Sequence, residues 1–186
     1  MSKTVLAYHF TDGYRLRDGQ LLETGREYVF DGEPVMYECG YHASRHVFDA
    51  MANAPGPILS RVECKEITDE CDDKLVCRRR RVIATIDATK ILRKFARLCA
   101  LDVIHLWEAP DIVIRYLKTG DESIRDAAMA AARDVVGDAV MDAAWSAALA
   151  AARSIGRDAA KDATRRRQRV RLARMVNQAF KKGEES

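Results

Sequence analysis

Cys39-Gly40-Tyr41-His42-Ala43-Ser44-Arg45-His46 gathers more reactive side-chain types than any other stretch of the chain. Cys39, His42 and His46 stand at spacings that a zinc site could use, with His46 one turn into an expected helix. A structural zinc site needs four ligands. No clear fourth follows, and the remaining cysteines lack a Cys-x-x-Cys pair. The segment therefore reads as a turn at Gly40 with the His42 ring packed or hydrogen-bonded beside a helix start, and no metal is expected. No phosphate loop, Ser-His-Asp arrangement or His-Glu-x-x-His is visible. Glu122, Asp126 and the later acids read as ion-pair partners.

Two arginine clusters form the other candidate chemistry. Arg78, Arg79, Arg80 and Arg81 lie inside an expected strand, so two should point to each face. Arg165, Arg166 and Arg167, with Arg169, Arg171 and Arg174, crowd an expected helix. Both could grip phosphates or an acidic partner. Against base recognition, neither has aromatic residues nearby for stacking. An edge strand guarded by charge and a solvated helix end explain the same residues without a ligand.

The charge is uneven along the chain. Residues 1–90 carry 13 basic and 15 acidic side chains, a net of −2, and residues 91–186 carry a net of +5. Residues 164–186 alone hold eight Lys/Arg against two Glu. A basic end of this kind is a candidate polyanion contact. At 186 residues and 48% hydrophobic, the chain is long enough for a real core. No run approaches the ~18 uncharged apolar residues of a membrane span, and the first residues are too short an apolar stretch for a signal peptide. Five irregularly spaced cysteines suit reduced cytoplasmic thiols better than a disulfide framework.

The elements that must position these residues fall into two sets, giving an α+β fold: a small antiparallel-sheet head over 1–87 and an all-helical, Ala-rich domain over 88–186. Val5–Phe10, Arg26–Phe30 and Val35–Cys39 read as short strands between Gly turns. Ser44 reads as the N-cap of a helix over Arg45–Ala54, stopped by Pro55-Gly56-Pro57. Ile58–Ile67 and Lys74–Ile86 read as a long hairpin around the acidic turn Asp69–Asp73. Asp87 should cap a helix to about Trp107, Pro110 should start another through Leu117, and Gly120 should end it.

From Arg125 to Phe180 the chain is written in fours, with acids at multiples of four and nearly all third and fourth places held by Ala, Val or Ile as far as Thr164. Four residues turn an α-helix past a full circle by about 40°, so an Ala stripe drifts and a simple coiled coil is excluded. A continuous helix is expected across Gly137 and a hairpin corner near Gly156, since Gly costs about 1 kcal/mol in a helix interior. Large anchors such as Met141, Trp145, Leu149 and Ile155 are sparse. Helices this poor in large residues want a partner, within the chain or in a second copy.

Two resemblances bear on function. Tyr8-His9-Phe10-Thr11, followed by Gly40-Tyr41-His42-Ala43-Ser44 ahead of a helix, resembles the ADP-ribosyltransferase pattern, in which a strand His and a later Tyr hold the nicotinamide dinucleotide. That resemblance implies His9 and Tyr41 as catalytic candidates, with Glu63 the best-placed acid. The head as a whole resembles a family of phage and prophage domains of unknown function. It does so through Gly40-Tyr41-His42-Ala43, Arg61-Val62-Glu63-Cys64, the acidic turn, and Lys74-Leu75-Val76-Cys77 leading to Arg81-Val82-Ile83. The family brings no catalytic residue. It implies a phage-encoded protein in a bacterial cytoplasm that modulates host machinery. The leading expectation is a non-enzymatic, anti-CRISPR-like accessory protein that contacts a bacterial host protein or complex, dimerises through its Ala-rich helices and needs no cofactor. The alternatives are an NAD-using ADP-ribosyltransferase-like enzyme and a nucleic-acid binder acting through its arginines.

Overall fold

β-Branched and aromatic residues alternating with polar ones set the strands of the first half. The computed structural model describes residues 4–16, 18–106, 108–136 and 159–184. Strands β1 (Val5–Thr11), β2 (Glu27–Val29), β3 (Tyr41–Ala43), β4 (Ile58–Glu70) and β5 (Leu75–Asp87) form one antiparallel sheet. β1 pairs with β4 and β4 with β5. The far side of β5 takes β3 along Leu75–Cys77 and β2 along Arg79–Arg81.

The long β4–β5 hairpin is not flat. Its register shifts at Arg61/Val62 and again at Ile67/Asp69, and Glu66 adopts a positive φ of 54°. Bulges of this kind bend and twist a ladder. The sheet curls until Ser44, just past β3, exchanges both backbone hydrogen bonds with Tyr8 of β1, at 2.8 and 2.9 Å. β1 is therefore bonded on both sides, and β1, β4, β5 and β3 close a ring. Val5, Ala7, Tyr41, Ala43, Val62, Cys64, Leu75, Cys77 and Val82 fill its inner face.

Helix α1 (Val47–Ala52) follows β3, and its Val47, Phe48 and Asp49 are buried. Two compact units account for the chain: Met1–Thr89 together with Arg169–Ser186, and Lys90–Gln168. The first unit thus takes in the last 18 residues as well as the strands. They join it through the final helix, α5 (Ala159–Glu184), which presents Arg169, Leu172, Val176 and Phe180 at helical spacing. Leu172, Val176 and Phe180 are at most 1% exposed. Asn177 accepts hydrogen bonds from the Tyr8 hydroxyl and Arg61, whose guanidinium lies 4.5 Å from the Phe180 ring.

In the other unit, α2 (Thr89–Asp102) starts where the Asp87 carboxylate accepts the Thr89 N–H. α3 (Asp111–Thr119) follows Pro110 and ends on left-handed Gly120. The Asp121 carboxylate caps the turn that leads into α4 (Arg125–Val136). Ala128 and Ala132, one turn apart, are buried with Val113 and Tyr116. The expected continuity at Gly137, the corner near Gly156, and the anchors Met141, Trp145, Leu149 and Ile155 lie outside the described residues. Among the described residues no helix is long and apolar enough to cross a membrane.

Two local expectations are corrected. Val35–Cys39 is a turn closed by one bridge between its end residues, and the strand is Tyr41–Ala43. Tyr37 there has φ +68°, in the middle of that turn, and Gly40 has φ +90°. A Cβ on Gly40 would lie 2.6 Å from the Pro34 Cβ, so a glycine is required to turn into β3 at that point. Ser44 does not cap α1. It is 3% exposed and paired to Tyr8, and His46 occupies the cap position.

Candidate functional site

The strand ring has an open mouth, a cleft of about 810 Å³ lined by His9, Phe30, Tyr41, Arg80 and the His42 backbone segment. Barrel mouths are favoured sites for small ligands because strand ends hold side chains rigidly around a concavity. His9 lies on the same face of β1 as Val5 and Ala7, by alternation, and so points to the ring interior. Arg80 reaches the same place from β5, where its neighbours across the ladder are Cys64 and Tyr28. Tyr41 arrives from β3, its ring edge-on to Tyr28 and Phe30 at 6.2 and 6.4 Å.

Arg80 is the unusual group. It is 2% exposed, yet no carboxylate among the described residues pairs with it. Its Nη1 donates to the His42 carbonyl at 3.1 Å, its guanidinium lies 4.7 Å from the Tyr41 ring centre, and its buried Nε has no hydrogen-bond partner. Burial works against the charge and draws its pKa down from the ordinary arginine value. An arginine starts so far above neutrality that it stays protonated. The cleft therefore has a cationic floor with unused donor capacity.

Burial, reinforced by the charge on Arg80 and by His42, pulls the His9 pKa well below its ordinary value of 6.5. His9 is thus a neutral imidazole. Burial and the nearby Asp18 carboxylate push the Tyr41 hydroxyl up, so it too stays protonated. The His42 ring faces another way and accepts the Tyr37 N–H at its Nε2, 2.9 Å away.

Of the residues singled out by sequence, His9 and Tyr41 share the cleft and Glu63 does not. Glu63 pairs across from exposed Leu6, on the face of β4 opposite Val62 and Cys64. Cys39 donates to the Glu33 carbonyl and His46 ends in the α1 cap, so neither joins His42. Among the described residues no three metal-type ligands cluster.

Of the four arginines only Arg80 is buried, so the expected split of two to each face does not hold. Arg78 pairs with Glu33 at 2.8 Å and Arg79 with Glu27 at 2.6 Å, and Glu66 lies within 4.0 Å of both. The hydrogen bond from Arg79, with its charge, holds the Glu27 carboxyl below its ordinary range. Arg81 is exposed and donates to the Gly25 carbonyl. In the second cluster, Arg169 forms two hydrogen bonds to buried Asp49, at 2.8 and 2.9 Å. Arg165 and Arg171 are half-buried, and Arg166, Arg167 and Arg174 are exposed.

Sequence reasoning placed Arg80 among the phosphate-gripping arginines and missed it as the floor of a cleft. The available signal was parity, since Arg80 and the apolar Val82 occupy alternate positions of one strand. Comparison with protein-family models, curated proteins and solved structures finds no match, so the functional reading rests on this geometry.

Proposed function

We propose that the sheet unit is a recognition module that takes a small anionic ligand into the mouth of the strand ring, and that the protein acts by binding rather than by catalysis. The carrying observation is the Arg80 guanidinium, buried in an open cleft without a carboxylate partner. Burying a charge costs several kcal/mol, the Asp18 carboxylate in the same cleft acts on Arg80 without bonding to it, and an anion in the cleft would offset more of that cost. Tyr41 and Phe30 add apolar ring surface beside that charge.

The enzyme reading draws support from the meeting of His9 and Tyr41, but Glu63, its acid, sits on the other face of the sheet. The polyanion reading loses Arg78, Arg79 and Arg169 to internal ion pairs. The Ala-rich helices belong to the proposal as a packing platform, a hairpin or bundle that dimerises. Burial of Ala128 and Ala132 in the second unit supports that role. Light scattering of the full chain tests it, and a monomer at high concentration would remove the dimer.

Calorimetric titration of the full chain with benzoate, phenyl phosphate and NAD tests the cleft. The expected result is saturable binding of the anions, at least tenfold weaker in Arg80→Met. Replacing a buried charge by an apolar side chain of similar length is often neutral or stabilising, so the melting temperature of Arg80→Met should equal or exceed that of the wild type. Equal binding by wild type and variant would overturn the site. Turnover of NAD that disappears in His9→Ala/Tyr41→Ala would restore the enzyme.

A further inference from the structure

Charges of both signs meet in the cleft. Arg15, Lys74 and Arg80 line it, and so do Asp12, Asp18 and Glu38. Arg80 is the buried one, bonded at Nη1 to the His42 carbonyl and set over the Tyr41 ring, with no partner at its buried Nε. Asp18 is exposed, and Gln20 fixes both of its carboxylate oxygens. One accepts the Gln20 backbone N–H at 3.1 Å and the other the Gln20 side-chain amide at 2.8 Å. The other two cations are engaged by neutral groups: Arg15 donates to the Gly19 carbonyl at 2.8 Å, and the Lys74 ammonium lies 5.0 Å from the Tyr37 ring centre. The Asp18 charge is felt at both Arg80 and Tyr41. A buried guanidinium and a fixed carboxylate thus share one concavity while each is bonded to neutral groups.

A plain anion satisfies Arg80 but enters beside a like charge at Asp18, and a plain cation meets the reverse conflict at Arg80. A neutral apolar compound does nothing for the buried guanidinium. We propose that the ligand is a zwitterion, its anionic group meeting Arg80 and a neighbouring cationic group meeting Asp18, of which an aromatic α-amino acid is the simplest case. The ring of such a ligand lies along Tyr41 and Phe30, whose own rings stand edge-on at 6.4 Å and wall the same cleft. This assignment rests on the small-anion reading above and adds the cation to it.

The test titrates L-phenylalanine, 3-phenylpropionate and phenethylamine into the full-length protein by calorimetry at pH 7.5. The second compound lacks the ammonium group and the third lacks the carboxylate. An ion pair with an exposed carboxylate corresponds to at most about a fivefold difference in Kd. L-Phenylalanine should therefore bind tighter than 3-phenylpropionate by about that factor, with phenethylamine the weakest of the three. Asp18→Asn removes the charge at an exposed position and keeps an oxygen for Gln20, and in it the two carboxylates should bind equally. Asp18→Glu, which retains the charge, should keep part of the preference. Arg80→Met should lose both carboxylates. A wild type that binds 3-phenylpropionate at least as tightly as L-phenylalanine would overturn the zwitterion and leave the small-anion reading standing. So would a preference for L-phenylalanine that Asp18→Asn leaves unchanged. Binding of neither carboxylate, or binding that survives Arg80→Met, would overturn both readings.

Discussion

His9 links the stability of the fold to pH in a window of its own. Its native pKa is depressed, chiefly by burial and then by Arg80, His42 and Lys74, while in the unfolded chain it titrates near 6.5. Below that value the unfolded state binds a proton that the native state refuses. Stability is therefore fully present above pH 6.5 and falls as the pH drops toward the native value, by about 1.4 kcal/mol per pH unit. Glu27, depressed below 4.5, loses its contribution only at lower pH. Urea denaturation between pH 7.5 and 5 should show a fall for the wild type and a flatter curve for His9→Gln. Parallel curves would mean that His9 accepts a proton in the folded protein. His9 and Tyr41 stood out in the sequence only through the resemblance of their segments to the ADP-ribosyltransferase pattern. Arg80 was hidden by its own neighbours. In four consecutive arginines the inward one is marked only by register, and bulges on both strands of the hairpin displace that register.

At the scale of elements, the attachment of α5 to α1 depends on an ion pair of unequal burial. Asp49 is 2% exposed at its side chain and Arg169 is 36% exposed. Removing Arg169 leaves a buried carboxylate with its main cation gone, and breaking such a pair costs about 3 kcal/mol. Arg169→Ala should therefore lower stability by roughly that amount in chemical denaturation. Asp49→Ala/Arg169→Ala should recover part of the loss, because the stranded charge is removed as well. An additive double variant would show that the pair does not couple the helices. Both partners are plain in the sequence, but 120 residues separate them and nothing local announces the contact. The hairpin β4–β5, α3 and its Gly120 stop were legible because their signals are local: alternation, a Pro start and a Gly end. β3 was not, since three residues are too few for a period and the more apolar stretch before Gly40 resembled a strand better. What excludes Val35–Cys39 from the sheet is backbone geometry at Tyr37 and Gly40, which residue type at Tyr37 does not reveal.

At the scale of the molecule, the sheet unit is assembled from two distant stretches, and the second of them is short. Leu172, Val176 and Phe180 recur every four residues along α5, a stripe visible in the sequence, but nothing there says which surface it covers. Each is at most 1% exposed. Burial of side chains this size contributes about 1.5–3 kcal/mol apiece, so the three together supply about 5–9 kcal/mol. That is comparable with the whole stability of a typical domain, about 5–15 kcal/mol. A chain ending at Gln168 should consequently lose the sheet unit's cooperative unfolding, and with it the binding cleft, although His9, Tyr41 and Arg80 all remain in it. Phe180→Ala grades the same effect. It should cost about 3–5 kcal/mol while leaving anion affinity unchanged at temperatures where the protein stays folded. Circular dichroism melts of the truncated and substituted proteins read this directly. If the truncated chain melts as sharply as the full one and still binds phenyl phosphate, the last helix is an attachment to the fold and not part of its core.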